Sequence, residues 1–225
     1  MTRIDTYFDD MSGKMERGAV LEIFPKVFRD PRGSFSEVLT FSEKDDRTET
    51  GWITGKEWIE QINRSKSVSG VFRGFHAQRG PHCQGKLVEA VNRKIFDVIL
   101  DMRPDSSTFG EAKSYLLDPN EQNMVFVPRG FLHGFVVPFE YSTEKAIFQY
   151  YCDNLYDKES EVCANPKSVL DAILSGKSSL DHDFISTVSE HELIFSEKDE
   201  SAPDVKTVSD GFLLEYVSKG RPWYV

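Results

Sequence analysis

A chain of 225 residues with 39% hydrophobic and 28% charged residues, 17 of its residues Phe, can bury one sizeable core and is too rich in order-forming residues to stay unfolded. Its net charge of −10 and pI near 5.0 oppose counterion release at a phosphate backbone, which excludes nucleic acid as an expected partner but still permits a nucleotide held by a few converging cations. Cys83, Cys152 and Cys163 follow no paired-ligand spacing and no stretch approaches the roughly 20 apolar residues that span a bilayer, so the expectation is reduced thiols in a soluble, cytoplasmic protein with no membrane partner.

Residues 1–17 are polar and acidic and read as a loose N-terminal arm, followed by one domain over 18–200 and a charged C-terminal extension over 201–225. Alternation from Ala19 to Phe24 predicts a first strand. Asp30-Pro-Arg-Gly33 has the residue types of a tight turn, and Ser34 to Leu39 resumes the alternation, so a hairpin is expected there. Residues 43–56 are charged and broken by Gly51 and Gly55, and read as a surface excursion with one helical turn.

A strand beginning near Trp58 puts Gln61 and Asn63 on one face, and another covers Arg73 to Gln78. Lys86 to Val91 and Lys94 to Asp101 are expected to pair as a hairpin turning at Asn92-Arg93. In its second arm Asp97 shares a phase with Ile95 and Ile99 and should therefore be buried. A buried carboxylate needs a partner, either in a structural ion pair or beside a catalytic group. Further strands are predicted over 114–117, 124–127, 134–137 and 145–151. One helix is predicted, Lys167 to Gly176, with Val169, Leu170, Ile173 and Leu174 as its apolar stripe. Many short strands, few helices and no repeat period predict a mainly β protein, a cupin jelly-roll β-barrel with few short helices.

The chemistry-bearing residues cluster in two segments. In the first, Gly70-Val-Phe-Arg-Gly-Phe-His76-Ala-Gln78, His76 sits near Arg73, and Gly70, Gly74 and Gly80 would leave room for a ligand's approach. In the second, Pro128-Arg-Gly-Phe-Leu-His133 repeats the Pro-x-Gly-x-x-His pattern of cupins. A metal cupin gathers two or three histidines and a carboxylate. Here the available set, His76, Gln78, His82 and His133, is one good ligand short. Proton transfer without metal or cofactor is therefore the expected chemistry.

Further motifs occur in order: Asp30-x-Arg32-Gly with Glu37, Gln61-x-Asn63, Arg73-Gly-x-His76-x-Gln78, Gln84-Gly-Lys86-Leu-Val, Phe96-Asp97-Val, Ser107-Thr-Phe-Gly, and Pro128-x-Gly-Phe-x-His133-Gly-Phe. With them, the stretch from about Val27 to Asp199 resembles the nucleotide-sugar epimerases typified by dTDP-4-dehydrorhamnose 3,5-epimerase. The resemblance implies inversion at carbon 3, carbon 5 or both of a nucleotide-linked 4-keto-6-deoxyhexose, in a homodimer that exchanges edge strands near Ala19 to Phe28. It implies His76 as general base, Asp199 as the carboxylate that orients it, Tyr150 as the acid on the opposite face of the sugar, and Lys86 near the ketone oxygen. His133 would stand near that oxygen, Arg32, Glu37, Gln61, Asn63 and Arg73 would hold the nucleotide diphosphate and sugar, and Asp97 and Tyr156 complete the expected substrate-binding set. The neighbouring Tyr151 is the alternative acid, because a shift of one residue along a strand reverses the face.

Overall fold

The structure, a computed structural model, describes residues 2–4, 20–36, 38, 59–140 and 142–211. Glu37 and the excursion expected over 43–56 lie outside the described residues. Two sheets carry the fold. The first has six strands in the order β1 (Thr2–Ile4), β2 (Leu21–Ile23), β10 (Met124–Val127), β7 (Lys86–Ala90), β12 (Ala146–Cys152) and β5 (Gln61–Ser67). The second has five, in the order β13 (Glu161–Cys163), β6 (Phe72–Gln78), β11 (Phe131–Val136), β8 (Ile95–Asp101) and β9 (Ala112–Leu117). This is the mainly β jelly-roll architecture that the short alternating strands predict. A separate two-stranded ribbon, β3 (Val27–Asp30) and β4 (Gly33–Ser36), forms the hairpin expected around Pro31.

Between the sheets lies an apolar layer that includes Val88, Ile95, Ile99, Tyr115, Val125, Phe135 and Phe148. Phe135 and Phe148 stack at 4.3 Å between ring centroids and link the two sheets directly. A second apolar cluster fills the outer side of the five-stranded sheet, where Phe72, Phe96, Val98 and Leu100 pack against helical residues such as Val169, Ile173 and Phe184. With both faces of β8 covered, all seven of its residues are buried.

The expected hairpin between the strands at 86 and 95 does not form. β7 pairs with β10 and β12, whereas β8 pairs with β11 and β9. The turn at Asn92-Arg93 carries the chain from one sheet to the other, held by Arg93 hydrogen bonds to the Glu144 carbonyl and Ser69. Alternation alone could not distinguish these outcomes, since an in-sheet turn and a crossover demand the same residue types at the same spacing.

The predicted helix is α1 (Pro166–Ser175), started by the Asn165 side chain accepting from the Lys167 and Ser168 amides, with Pro166 in its first turn. Two helices beyond that prediction follow, α2 (His182–Ser189), capped by Asp181, and the single turn α3 (Glu197–Glu200), capped by Ser196. A further helical stretch covers 205–211 and buries Val208 in the outer apolar cluster. The chain reaches α3 by docking beside β6: Ile194 donates its amide to the Gly70 carbonyl and accepts from the Phe72 amide. No helix among the described residues is long and apolar enough to cross a membrane.

Candidate active site

β6 lies between β13 and β11, and its register places His76 opposite Cys163 on one side and His133 on the other. That alignment depends on a close approach of backbones. A Cβ on Gly74 would stand 2.5 Å from the Gly134 Cα, at a φ of +120° that L-residues rarely adopt. Gly74 thus makes room for the neighbouring strand, and the expectation that it opens space for a ligand is corrected. Gly70 likewise faces the Phe139 ring.

His76 is half-buried, and its Nε2 lies 2.7 Å from Asp199 Oδ1, whose own side chain is almost wholly enclosed. Burial pushes the Asp199 carboxyl up, but the His76 hydrogen bond and charge, with the Ser196 hydroxyl and Lys198, outweigh it and hold the group below its ordinary value. Asp199 is therefore an anion at neutral pH. It accepts the Nε2 proton and leaves Nδ1 as the basic nitrogen of the ring.

A second chain of polar groups runs beside the first. Lys86 Nζ lies 3.2 Å from His133 Nε2, and His133 Nδ1 lies 3.2 Å from Asp97 Oδ1. Burial lowers the His133 pKa, and the Lys86 charge lowers it further. The neutral ring can then donate from Nδ1 to Asp97 and accept at Nε2 from Lys86. Burial also lowers the Lys86 pKa, opposed by the charges of Cys152 and Asp97. Asp97 is fully buried, as its strand phase predicted, and burial raises its pKa against the opposing pull of His133. Its Oδ2 has no hydrogen-bond partner among the described residues.

The six-stranded sheet contributes the opposite wall. Tyr150 lines a cavity of about 430 Å³ together with Arg73, His76, Lys86, His133 and Asp199. Burial raises the Tyr150 pKa, and Arg73 pulls it partly back, so the phenol keeps its proton at neutral pH. Tyr151, one residue on, faces away: its hydroxyl donates to Glu89 Oε1 at 2.7 Å, and burial and that carboxylate push its pKa to about 12. A second cavity of about 300 Å³ shares His76, Lys86 and Tyr150 with the first and is lined by Gln61, Asn63, Gln84, Tyr156 and Glu161. Gln61 donates to Asn63 at 2.8 Å and accepts the Tyr156 amide, so the strand-face pairing expected for these two residues is formed.

The structure thus gathers His76, Asp199, Lys86, His133, Tyr150, Arg73, Gln61, Asn63 and Tyr156 around two adjoining cavities, with Asp97 behind them. It does not bring Arg32 there. Arg32 sits at the tip of the β3–β4 ribbon, bonded to Asp30 with its side chain 90% exposed, and lines neither cavity. His82 lines neither cavity, and Gln78, buried in the floor of the second, accepts the Asp157 amide. Two residues that sequence reasoning passed over, Lys198 and Glu161, border the site. Lys198 precedes Asp199 in a segment already singled out, whereas Glu161 lies on a three-residue strand too short to leave a pattern.

Comparison with known proteins places the chain in a family. The family model for dTDP-4-dehydrorhamnose 3,5-epimerase matches residues 16–207. The enzyme of that name from Salmonella typhimurium is 40% identical over 142 residues, which are 63% of this chain and 73% of the relative. The crystal structure of the Elizabethkingia anophelis enzyme of the same name aligns with a TM-score of 0.68 at 35% identity, over 92% of this chain and 97% of that one. A dTDP-6-deoxy-D-glucose-3,5-epimerase from Legionella pneumophila, solved in complex with dTDP-4-keto-L-rhamnose, aligns with a TM-score of 0.68 at 28% identity, over 92% and 95% of the two chains. With the model matched over most of its length and the fold shared almost end to end, this chain belongs to the dTDP-4-dehydrorhamnose 3,5-epimerase family and is an enzyme of the isomerase class.

Proposed function

We propose that the enzyme inverts carbons 3 and 5 of a dTDP-linked 4-keto-6-deoxyhexose, and that His76, Asp199, Lys86 and Tyr150 carry the reaction. The observation that supports this most directly is that one cavity is lined by His76 of the five-stranded sheet, paired with Asp199 of α3, and by the protonated Tyr150 and Lys86 on neighbouring strands of the six-stranded sheet. Hydrogens on carbons 3 and 5 of such a sugar are acidic because they flank the ketone. His76, charged by Asp199, takes one through Nδ1, and the electron pair moves into the ring as an enolate with its negative charge on the carbonyl oxygen. Lys86, supported by His133 and Asp97, stabilises that charge, an effect typically worth about 10² to 10³ per donor in rate. Tyr150 returns a proton from the opposite side, which inverts the carbon, and His76 and Tyr150 exchange protons with water before the second cycle.

Arg73, Gln61, Asn63 and Tyr156 serve the nucleotide diphosphate in this reading. It extends to a homodimer in which the exposed β3–β4 ribbon brings Arg32 to the partner's cavity, a reading supported by the 90% exposure of the Arg32 side chain, which lines neither cavity of its own chain. The test is turnover of dTDP-4-keto-6-deoxyglucose in heavy water. Deuterium is expected at both carbon 3 and carbon 5 of the product and is expected to disappear with His76→Asn. Label at one carbon would reduce the enzyme to a single-centre epimerase. Unchanged turnover in the variant would overturn His76 as the base.

A further inference from the structure

The anion that supports His76 is carried by a helix of only four residues, α3, which cannot hold its own position. A single turn satisfies few of its own hydrogen bonds and is ordered by what ties it down. The Ser196 hydroxyl accepts the Asp199 amide at 3.2 Å. On the α1 side Asn165 donates to the Glu200 carbonyl at 2.7 Å, and Lys167 pairs with the Glu200 carboxylate at 2.9 Å. On the sheet side, besides the Asp199–His76 bond itself, Lys198 Nζ reaches Glu161 Oε1 at 2.6 Å. Glu161 is only 14% exposed, and its other oxygen accepts the Tyr156 hydroxyl at 3.0 Å.

Glu161 belongs to β13, two residues before Cys163, which pairs with His76 across the β13–β6 ladder. The base and the strand that holds its supporting carboxylate are therefore neighbours, and Lys198 and Asp199 are adjacent in sequence. We propose that the Lys198–Glu161 ion pair, braced by Tyr156, is a positioning device that clamps α3 to β13 and so fixes the Asp199 carboxylate against His76. The two groups perturb one another as such a pair should: burial and Lys198 act in opposite senses on Glu161 and leave it below its ordinary value, and Glu161 outweighs burial to raise Lys198.

Lys198 is about half exposed, and an ion pair of that kind contributes little to global stability. Its effect is instead on alignment, where a displacement of about 1 Å can cost about 10² in rate. Tyr156 and Glu161 also border the second cavity. The clamp therefore spans from that cavity to the base, and a ligand that packs on Tyr156 would tighten it.

This inference rests on the reading of His76 and Asp199 as base and support, and the experiment keeps the two separable. Glu161→Gln, Lys198→Met and the double variant are compared with the parent enzyme in two ways. One is kcat and KM; the other is nitrogen NMR of the His76 ring, which reports the Nε2–H···Asp199 hydrogen bond without any need for turnover. Each single substitution is expected to lower kcat about 10- to 100-fold with KM within about twofold, and the double variant to lose no more than the worse single one. The slowly exchanging Nε2 proton is expected to be lost in all three. Multiplying losses, an effect confined to KM, or an unchanged Nε2 proton would overturn the clamp. Loss of that proton with turnover unchanged would uphold the clamp and refute His76 as the base. Should Glu161→Gln fail to fold, Glu161→Asp, which keeps the charge and shortens the reach, carries the same measurements.

Discussion

At the scale of single residues, two adjacent tyrosines receive opposite assignments from strand geometry. Tyr150 and Tyr151 cannot be separated by residue type, and the period of two guarantees only that one faces in and the other out. Tyr150 shares the cavity with His76, and Tyr151 bonds Glu89 on the far face. In the proposed reaction Tyr150→Phe removes only the returning proton, so it is expected to abolish inversion while still exchanging substrate hydrogen with heavy water at the His76 side. Mass spectrometry of recovered substrate checks this, and absence of exchange would show that the phenol also takes part in abstraction. Tyr151→Phe leaves Glu89 with one donor fewer and is expected to cost about 1 kcal/mol in stability with kcat little changed. Lys86 sets a third expectation. In the proposed reaction it must be charged to stabilise the enolate, and burial favours its neutral form, so its folded pKa lies below the usual lysine value of 10.5. Activity is then present below that folded pKa and is lost as pH rises through it. The alkaline limb of kcat/KM is expected to begin below the ordinary lysine range, and Tyr150, shifted upward, cannot supply that limb.

At the scale of elements, what the sequence made legible was whatever a local period controls. Positions of most strands, the hairpin at Pro31, the burial of Asp97 on an apolar face and the capped helix at 166 all follow from alternation or from end signals. Partnership between strands does not, which is why the turn at Asn92-Arg93 read as a hairpin and is a crossover. The helix at 182 escaped because its eight residues hold only three apolar positions, and α3 because four residues carry no period at all. Asp199 was placed beside His76 only through a family motif, since a sequence separation of 123 leaves no local trace. The most demanding element contact is the approach of β6 to β11 at Gly74 and Gly134. Gly74→Ala meets both a backbone clash and a positive φ, and is expected to destabilise the fold by about 3 kcal/mol or more. A thermal unfolding curve within a few degrees of the parent's would show that the two strands can separate at no cost.

At the scale of the whole molecule, the site places two carboxylates of opposite tendency in one fold, and they bend its stability curve in opposite directions. Asp199 has a folded pKa below its unfolded value, so the stability it contributes is present above the ordinary carboxylate range and is lost as pH falls toward the folded value. Asp97 has a folded pKa raised by burial, so the protonated fold is favoured: its contribution is fully present below the ordinary value of 3.8 and is lost as pH rises through the folded value. The cost of the ionised form is localised at Oδ2, which is buried without a hydrogen-bond partner among the described residues. Asp97→Asn keeps the shape and an oxygen acceptor for His133 Nδ1 and removes the titration. Urea unfolding between about pH 4 and about pH 8 is expected to show the variant gaining on the parent as pH rises, with the gain levelling off once Asp97 is ionised in the parent. The same variant is expected to lose activity, because the anion that supports His133 and, through it, the charged Lys86 has gone. A stability difference that stays constant across that range would mean that Asp97 does not change protonation there, and the strain assigned to its buried oxygen would have to be withdrawn.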